Sequence, residues 1–257
     1  MGFFKKIFEK KVCDICGGEI GLLGNRKLED GNMCKECAKK LSPWFDDRRN
    51  STIAQINEQL AYREANKAKV AAFRTTRSFG THTMLYLDED AGNFMVTSAD
   101  SAREKEEANP DVLAFTDVTG VILDVDDRKE EVKRKDKDGN EVSFVPARYI
   151  YYYDFYIKIQ VNNPYFDDMR FKLNGSSIEI ERTGIRQPDP VSNSDYRYYK
   201  DWADEIKKVL MESRQQARDD VAAAAAPKAA VKCPYCDATT TPDEKGCCEY
   251  CGGAING

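Results

Sequence analysis

Cys13-Asp-Ile-Cys16, followed by Gly17 and Gly18, and Cys34-Lys-Glu-Cys37, running into Ala38-Lys39-Lys40-Leu41, decide how this chain is read. Seventeen residues lie between Cys16 and Cys34. Two C-x-x-C pairs at that separation have the spacing of a four-cysteine metal site. The reason is geometric. A tetrahedral ion takes four soft ligands, and two intervening residues let one tight turn aim both sulfurs of a pair at it. Glycine after the first pair admits positive φ where backbone N–H groups approach the thiolates. The second pair lacks that glycine and leads into good helix formers. Cys13, Cys16, Cys34 and Cys37 are therefore expected to hold one Zn²⁺.

Between the pairs, Gly21 to Asn32 reads as two short strands, with Asp30-Gly31 as the hairpin turn. Knuckle, hairpin and a helix carrying the last ligands form the layout of a treble clef. Disulfides or thiols that fall together by chance are the alternative, and the spacing and a reducing compartment argue against them.

A second quartet lies at the other end: Cys233-Pro-Tyr-Cys236, eleven residues, then Cys248-Glu-Tyr-Cys251-Gly252-Gly253. This is a compact zinc-ribbon pattern. Asp237 and Gly252 follow their knuckles where a left-handed residue is needed. The ninth cysteine, Cys247, could replace Cys248 as ligand. Cys248 is preferred because it keeps the two knuckles alike. Two structural Zn²⁺ ions per chain are expected.

The chain has 257 residues, 32% of them charged, and a formal net charge of −5. Two tetrathiolate centres would take that to about −9, because four thiolates outweigh one divalent cation. Such a chain is a poor default binder of nucleic acid. No run approaches membrane-spanning length, and no secretory signal is evident. A cytoplasmic location is expected, with the inner face of the membrane as an alternative.

That alternative rests on MGFFKKIFEKK at the start. Phe3, Phe4, Ile7 and Phe8 share one side of a helical wheel, opposite Lys5 and Lys6. The segment reads first as a terminus or a helix packing on the zinc module, and second as a weak membrane contact.

Residues 50–74 read as a bridging helix capped by Asn50 or Ser51. Its apolar stripe of Ile53, Ile56 and Leu60 is thin, so it is expected to stay largely solvated. From residue 75 the apolar period becomes two. Strands are expected around Met84–Tyr86, Phe94–Val96, Val112–Phe115, Val118–Val125, Glu141–Val145, Tyr149–Val161, Met169–Leu173 and Ser177–Glu181, joined by turn-forming residues. Tyr149, Tyr151, Tyr153, Phe155, Ile157, Ile159 and Val161 share a face that should line the core. Thirteen residues is long for a strand, so a bend or bulge is expected. Ser194 to Ser213 reads as an amphipathic helix through Tyr199, Trp202, Ile206, Val209 and Leu210. Asp219 to Lys232, alanine-rich and interrupted by Pro227, reads as a linker.

The expected class is α+β: a treble-clef zinc module (1–49), a bridging helix (50–74), an antiparallel β domain closed by a helix (75–218), a linker (219–231) and a zinc ribbon (232–257). The strand-rich part resembles a pleckstrin-homology-like roll in pattern. A two-sheet sandwich with a covering helix is the alternative.

Catalytic signatures do not stand out. There is a single histidine, His82, expected as a partly exposed strand residue. No nucleophile elbow, H-E-x-x-H or phosphate loop occurs. Asp136-Lys-Asp138-Gly139-Asn140 lacks the distal glutamate of a calcium loop and reads as a charged turn. A four-cysteine site leaves no position for water, so it is read as structural.

The run from Cys13 through Gly17-Gly18, Gly21-Leu-Leu-Gly24, Asp30-Gly31-Asn and Cys34-Lys-Glu-Cys37 resembles a bacterial four-cysteine zinc-finger domain of unknown function. That domain sits near the start of uncharacterised cytoplasmic proteins, mainly of Gram-positive type. The likeness covers about residues 10 to 50 and implies zinc at the matched cysteines. It implies no activity. The C-terminal run resembles generic zinc ribbons.

Taken together, the sequence points to a non-enzymatic interaction protein with a protein partner. A peripheral membrane protein is the second reading. Nucleic-acid binding is third, supported only by eleven basic against eight acidic residues in the first fifty. No small-molecule substrate is evident.

Overall fold

The computed structural model describes residues 11–184, 186–225, 230–243 and 245–255. The segment containing Phe3, Phe4, Lys5, Lys6, Ile7 and Phe8 lies outside them. The chain divides into two compact units, Met1–Gln215 and Gln216–Gly257. Helices and antiparallel sheets are mixed, with one four-cysteine cluster towards each end.

The first unit opens with two short hairpins. Strands β1 (Lys11–Val12) and β2 (Glu19–Ile20) pair, as do β3 (Arg26–Lys27) and β4 (Asn32–Met33). Helix α1 (Lys35–Ala38) follows, and then α2 (Ile53–Ala72). Thr52 caps α2 in a capping box with Gln55, which satisfies two otherwise orphaned backbone donors. The cap thus falls at Thr52, just beyond the expected Asn50 or Ser51.

Most positions of α2 are exposed, as its thin apolar stripe implies, but one face is not solvated. Ile56, Gln59, Arg63, Asn66 and Val70 are all buried on one face of α2. The thin apolar stripe hid a stripe of buried polar residues. At its start, Ile53, Ile56 and Leu60 pack into the core of the first cysteine module with Leu28, Met33 and Leu41. At its end, Val70 packs with Tyr86, Met95 and Val112.

A four-stranded antiparallel sheet follows, in the order β5 (Arg77–Gly80), β6 (Met84–Asp88), β7 (Asn93–Thr97), β8 (Leu113–Ala114), with helix α3 (Ala102–Ala108) between β7 and β8. Strand β5 and α3 were not expected. The capping box Ser101-x-x-Glu104 was the available signal for α3. Gly80 makes the tight β5–β6 turn with φ +120°, and a Cβ there would sit 2.2 Å from the Thr83 carbonyl oxygen. His82 is exposed in that turn and not in a strand.

The second sheet is built on β10 (Glu141–Val161), which pairs along one edge with β9 (Val118–Lys135). Its other edge is shared end to end by β11 (Asp168–Lys172) and β12 (Ile178–Thr183). The expected core face is present from Tyr151 onward: Tyr151, Tyr153, Phe155, Ile157, Ile159 and Val161 are buried, whereas Tyr149, also expected there, is only half-buried. A register shift lies between Ser143 and Arg148, so residues 144–147 have no partner on β9.

Both strands run further into charged sequence than expected. Residues 126–135 bury almost nothing, so no apolar alternation marks them. Backbone pairing and cross-strand stacking stand in its place. The Arg128 guanidinium lies 3.8 Å from the Tyr152 ring centre, and that of Arg170 3.7 Å from Tyr156. Such contacts contribute about 0.5–1 kcal/mol each where exposed.

Helix α4 (Ser194–Ala225) buries Ala203, Ile206 and Leu210. Its aromatics meet both sheets: Trp202 touches Phe79 on β5, and Tyr196 and Tyr199 touch Phe155 on β10. The helix continues through Ala225, well into the stretch expected as a linker. Alanine has the best helix propensity, and proline forbids helix only near its own position. In the second unit, β13 (Val231–Lys232) and β14 (Thr239–Thr240) form one small hairpin.

Candidate metal centres

Three of the four C-x-x-C turns share one backbone pattern. The first cysteine N–H donates to the carbonyl five residues on: Cys13 to Gly18, Cys233 to Ala238 and Cys248 to Gly253, each at 2.8 Å. The N–H four residues on donates back to that cysteine: Gly17, Asp237 and Gly252. Those three residues have φ of +71°, +57° and +71°. Left-handed backbone there suits glycine, and aspartate tolerates it.

The fourth turn is different. Cys34 caps α1, and its sulfur accepts from the Cys37 N–H at 3.3 Å. The Cys34 N–H donates to Cys13 Sγ at 3.2 Å. One pair therefore sits on a loop knuckle and the other on a helix start.

The two pairs are held together by the hairpin between them. The Asn32 N–H donates to Asp14 Oδ2 at 2.6 Å, inside the first knuckle. Asp30 Oδ1 accepts from the Ile53 N–H at 2.8 Å, which joins the Asp30-Gly31 turn to the start of α2. Gly31 lies so close that a Cβ would meet Asp14 Oδ2 at 2.7 Å and Ile53 Cδ1 at 2.8 Å.

The sulfurs converge. Cys13 and Cys37 are 4.0 Å apart and Cys16 and Cys34 3.8 Å. In the second unit Cys233 and Cys251 are 3.6 Å apart and Cys236 and Cys248 3.7 Å. Within each quartet all four sulfurs lie within 4.8 Å of one another. A tetrahedron with metal–sulfur bonds of about 2.3 Å has edges of about 3.8 Å. A disulfide needs about 2.05 Å, and all nine cysteines are free thiols. Each quartet therefore has the donors and spacing to hold one metal ion.

Cys247 stands outside the second quartet. Its sulfur lies 3.9 Å from the Lys245 carbonyl oxygen, while its backbone bridges to Ala254. Only Cys248 as ligand gives the second knuckle the hydrogen bonds of the first.

The charge of the first quartet is unevenly shared. Burial by itself pushes the Cys13 thiol up, but the N–H groups of Cys34, Cys16 and Ile15 outweigh it and bring it down to about 6. Cys37 goes the other way, pushed up by burial and by the thiols of Cys34, Cys16 and Cys13. In the second quartet burial raises Cys233, yet the N–H groups of Tyr235 and Cys236 take it down to about 7. Crowded thiols cannot all ionise cheaply without a cation among them.

Elsewhere, a cleft of about 620 Å³ lies between the first cysteine module, α2 and the β10–β11 loop. Trp44, Phe45, Asp46, Glu58, Tyr165 and Asp167 are among its walls, and among the described residues no lysine, arginine or histidine lines it. Among the described residues no helix is long and apolar enough to cross a membrane.

Residues 11–59 match the family model of a domain of unknown function, DUF4428. The match takes in all of the first quartet and the start of α2, the part that shares the module's core. No curated protein and no solved structure matches the chain.

Proposed function

We propose that this chain is a non-enzymatic interaction protein whose two tetrathiolate zinc centres fix the shape of small modules that present surfaces to a protein partner. The observation that carries this reading is the set of eight sulfurs in two closed quartets. Four thiolates complete the coordination of Zn²⁺ and leave no position for water or substrate. Tetrahedral all-sulfur sites suit zinc or iron, and the compact single-ion spacing favours zinc. The loop knuckle, hairpin and helix-borne pair support a treble clef. The paired knuckles of the second unit support a ribbon. Two antiparallel sheets with α4 packed on both support a pleckstrin-homology-like roll between them. Free thiols at every cysteine agree with a reducing, cytoplasmic setting.

Two measurements on the full chain test this. Elemental analysis is expected to give two zinc and no iron, with X-ray absorption showing four sulfur neighbours per zinc. Cross-linking in cytosol is expected to trap a protein that Cys34→Ser or Cys248→Ser releases. A zinc with an oxygen neighbour, or a partner retained by both variants, overturns the reading.

A further inference from the structure

The turn between β2 and β3 carries two residues that folding does not need. Gly21-Leu22-Leu23-Gly24 is closed by a hydrogen bond from the Gly24 N–H to the Gly21 carbonyl at 2.9 Å. The central positions of such a turn ordinarily hold glycine, asparagine, aspartate, serine or proline. Here they hold leucines that are 87% and 89% exposed. Neither belongs to the module's core cluster.

One cation touches that tip, and others follow on from it. Arg26 Nη1 donates to the Leu23 carbonyl at 3.3 Å, which places its guanidinium beside the leucines. Arg48 Nη1 donates to the Lys27 carbonyl at 2.6 Å. Arg26 and Arg49 lie near enough to Arg48 to press its pKa down, after burial, by like-charge repulsion. None of Arg26, Lys27, Arg48 and Arg49 forms an ion pair among the described residues. The carboxylates nearest in sequence to Arg48, Asp46 and Asp47, line the cleft beside Trp44 and Tyr165.

The chain enters the module at the same place. Lys11 pairs with Ile20, the residue before Gly21. The ten residues that precede Lys11 read MGFFKKIFEK, three phenylalanines and one isoleucine with four basic or acidic neighbours close by.

We propose that the Leu22-Leu23 turn is a membrane-contact site, in which the leucines enter the interface of a bilayer and Arg26, Lys27, Arg48 and Arg49 meet anionic phospholipid headgroups. Charge selects the occupant: apolar side chains with Arg26 beside them, and Lys27, Arg48 and Arg49 following on from Arg26, match an anionic lipid surface on both counts. One short insertion binds a bilayer only weakly and reversibly.

The test is sedimentation of the full-length, metal-loaded protein with vesicles of phosphatidylcholine alone or with phosphatidylglycerol added. Binding is expected to need the anionic lipid, to fall on adding salt, and to weaken about tenfold or more in the double variant Leu22→Ser, Leu23→Ser. Unchanged metal content and thermal unfolding in that variant show that the module is intact. Leu23→Trp gives a second readout: its emission is expected to shift to the blue on anionic vesicles only. Native protein that stays in the supernatant, a double variant that binds as well as native, or a tryptophan that stays water-exposed on anionic vesicles overturns the proposal.

Discussion

Arg63 Nη1 lies 2.8 Å from Asp111 Oδ1, with the two side chains 5% and 0% exposed. Around this pair the first unit is tied together. Asp111 Oδ2 accepts the Ser42 hydroxyl at 2.7 Å, and Arg63 Nε donates to the Lys40 carbonyl at 3.2 Å. One turn further along α2, Asn66 Nδ2 donates to the Pro110 carbonyl at 2.7 Å, and its Oδ1 accepts from the Val112 N–H at 3.0 Å. The exit of the cysteine module, the middle of α2 and the segment entering β8 thus meet in one buried polar network. Burial pushes the Asp111 carboxyl up, against the opposing pull of Arg63 and Ser42.

Arg63→Met is expected to cost about 3–5 kcal/mol, because it leaves a buried carboxylate without its counter-charge. The deficit has a sign in pH. Without the guanidinium the folded-state pKa of Asp111 rises further above its unfolded value. The penalty then applies at pH above the unfolded pKa and disappears as the pH falls and Asp111 is protonated in both states. Urea unfolding of native and variant should therefore differ most near neutrality and converge in acid. A constant difference across pH would refute the electrostatic account.

Asp154 shows the opposite sign. Burial raises its carboxyl, but hydrogen bonds from Lys172 and Ser177 and the Lys172 charge outweigh this, so its pKa is lowered. Lys172 Nζ lies 2.7 Å from Asp154 Oδ1. A carboxyl depressed in the fold stabilises above its unfolded pKa, and that contribution is lost as pH falls through the folded value. Lys172→Met is expected to be less stable than native at neutral pH and equal to it in strong acid, measured by thermal unfolding at a series of pH values.

Cys34→Ser should remove one metal ion per chain, and zinc contributes on the order of 10 kcal/mol to small modules of this kind. Because Ile53, Ile56 and Leu60 share the module's core, loss of amide protection should spread into the first turns of α2. Hydrogen exchange with parallel metal analysis checks this. Protection that stops short of Ile53 in the native protein, or survives there in the variant, would contradict the shared core. Cys248→Ser should remove the other ion and the protection of β13 and β14, whereas Cys247→Ser should keep both ions.

Phe155→Ala removes a fully buried ring that Tyr196 meets at a centroid distance of 4.9 Å. It is expected to cost about 3–5 kcal/mol in chemical denaturation. Val145→Ser, at a position 96% exposed in the part of β10 without partners on β9, should stay within about 0.5 kcal/mol of native.

The sequence by itself determined the elements whose chemistry is local. Ligand spacing within each C-x-x-C turn, the left-handed residues Gly17, Asp237 and Gly252, and the alternating face from Tyr151 to Val161 all follow from neighbours a few residues apart. That the sulfur of Cys248 and not of Cys247 joins the quartet was legible in the same way, since it repeats a turn already seen at Cys233. Tertiary structure alone decided what α2 does. Arg63 and Asn66 look like part of a solvated helix face in sequence, and they become interior only because Asp111, Asn109 and the Lys40 carbonyl arrive from elsewhere in the chain to receive them. It also decided the length of the β9–β10 arm, whose charged strands are specified by each other and not by a core. Apolar burial writes a period into the sequence. A buried ion pair and a solvent-exposed ladder do not, because each residue's reason for being there lies on another strand or helix.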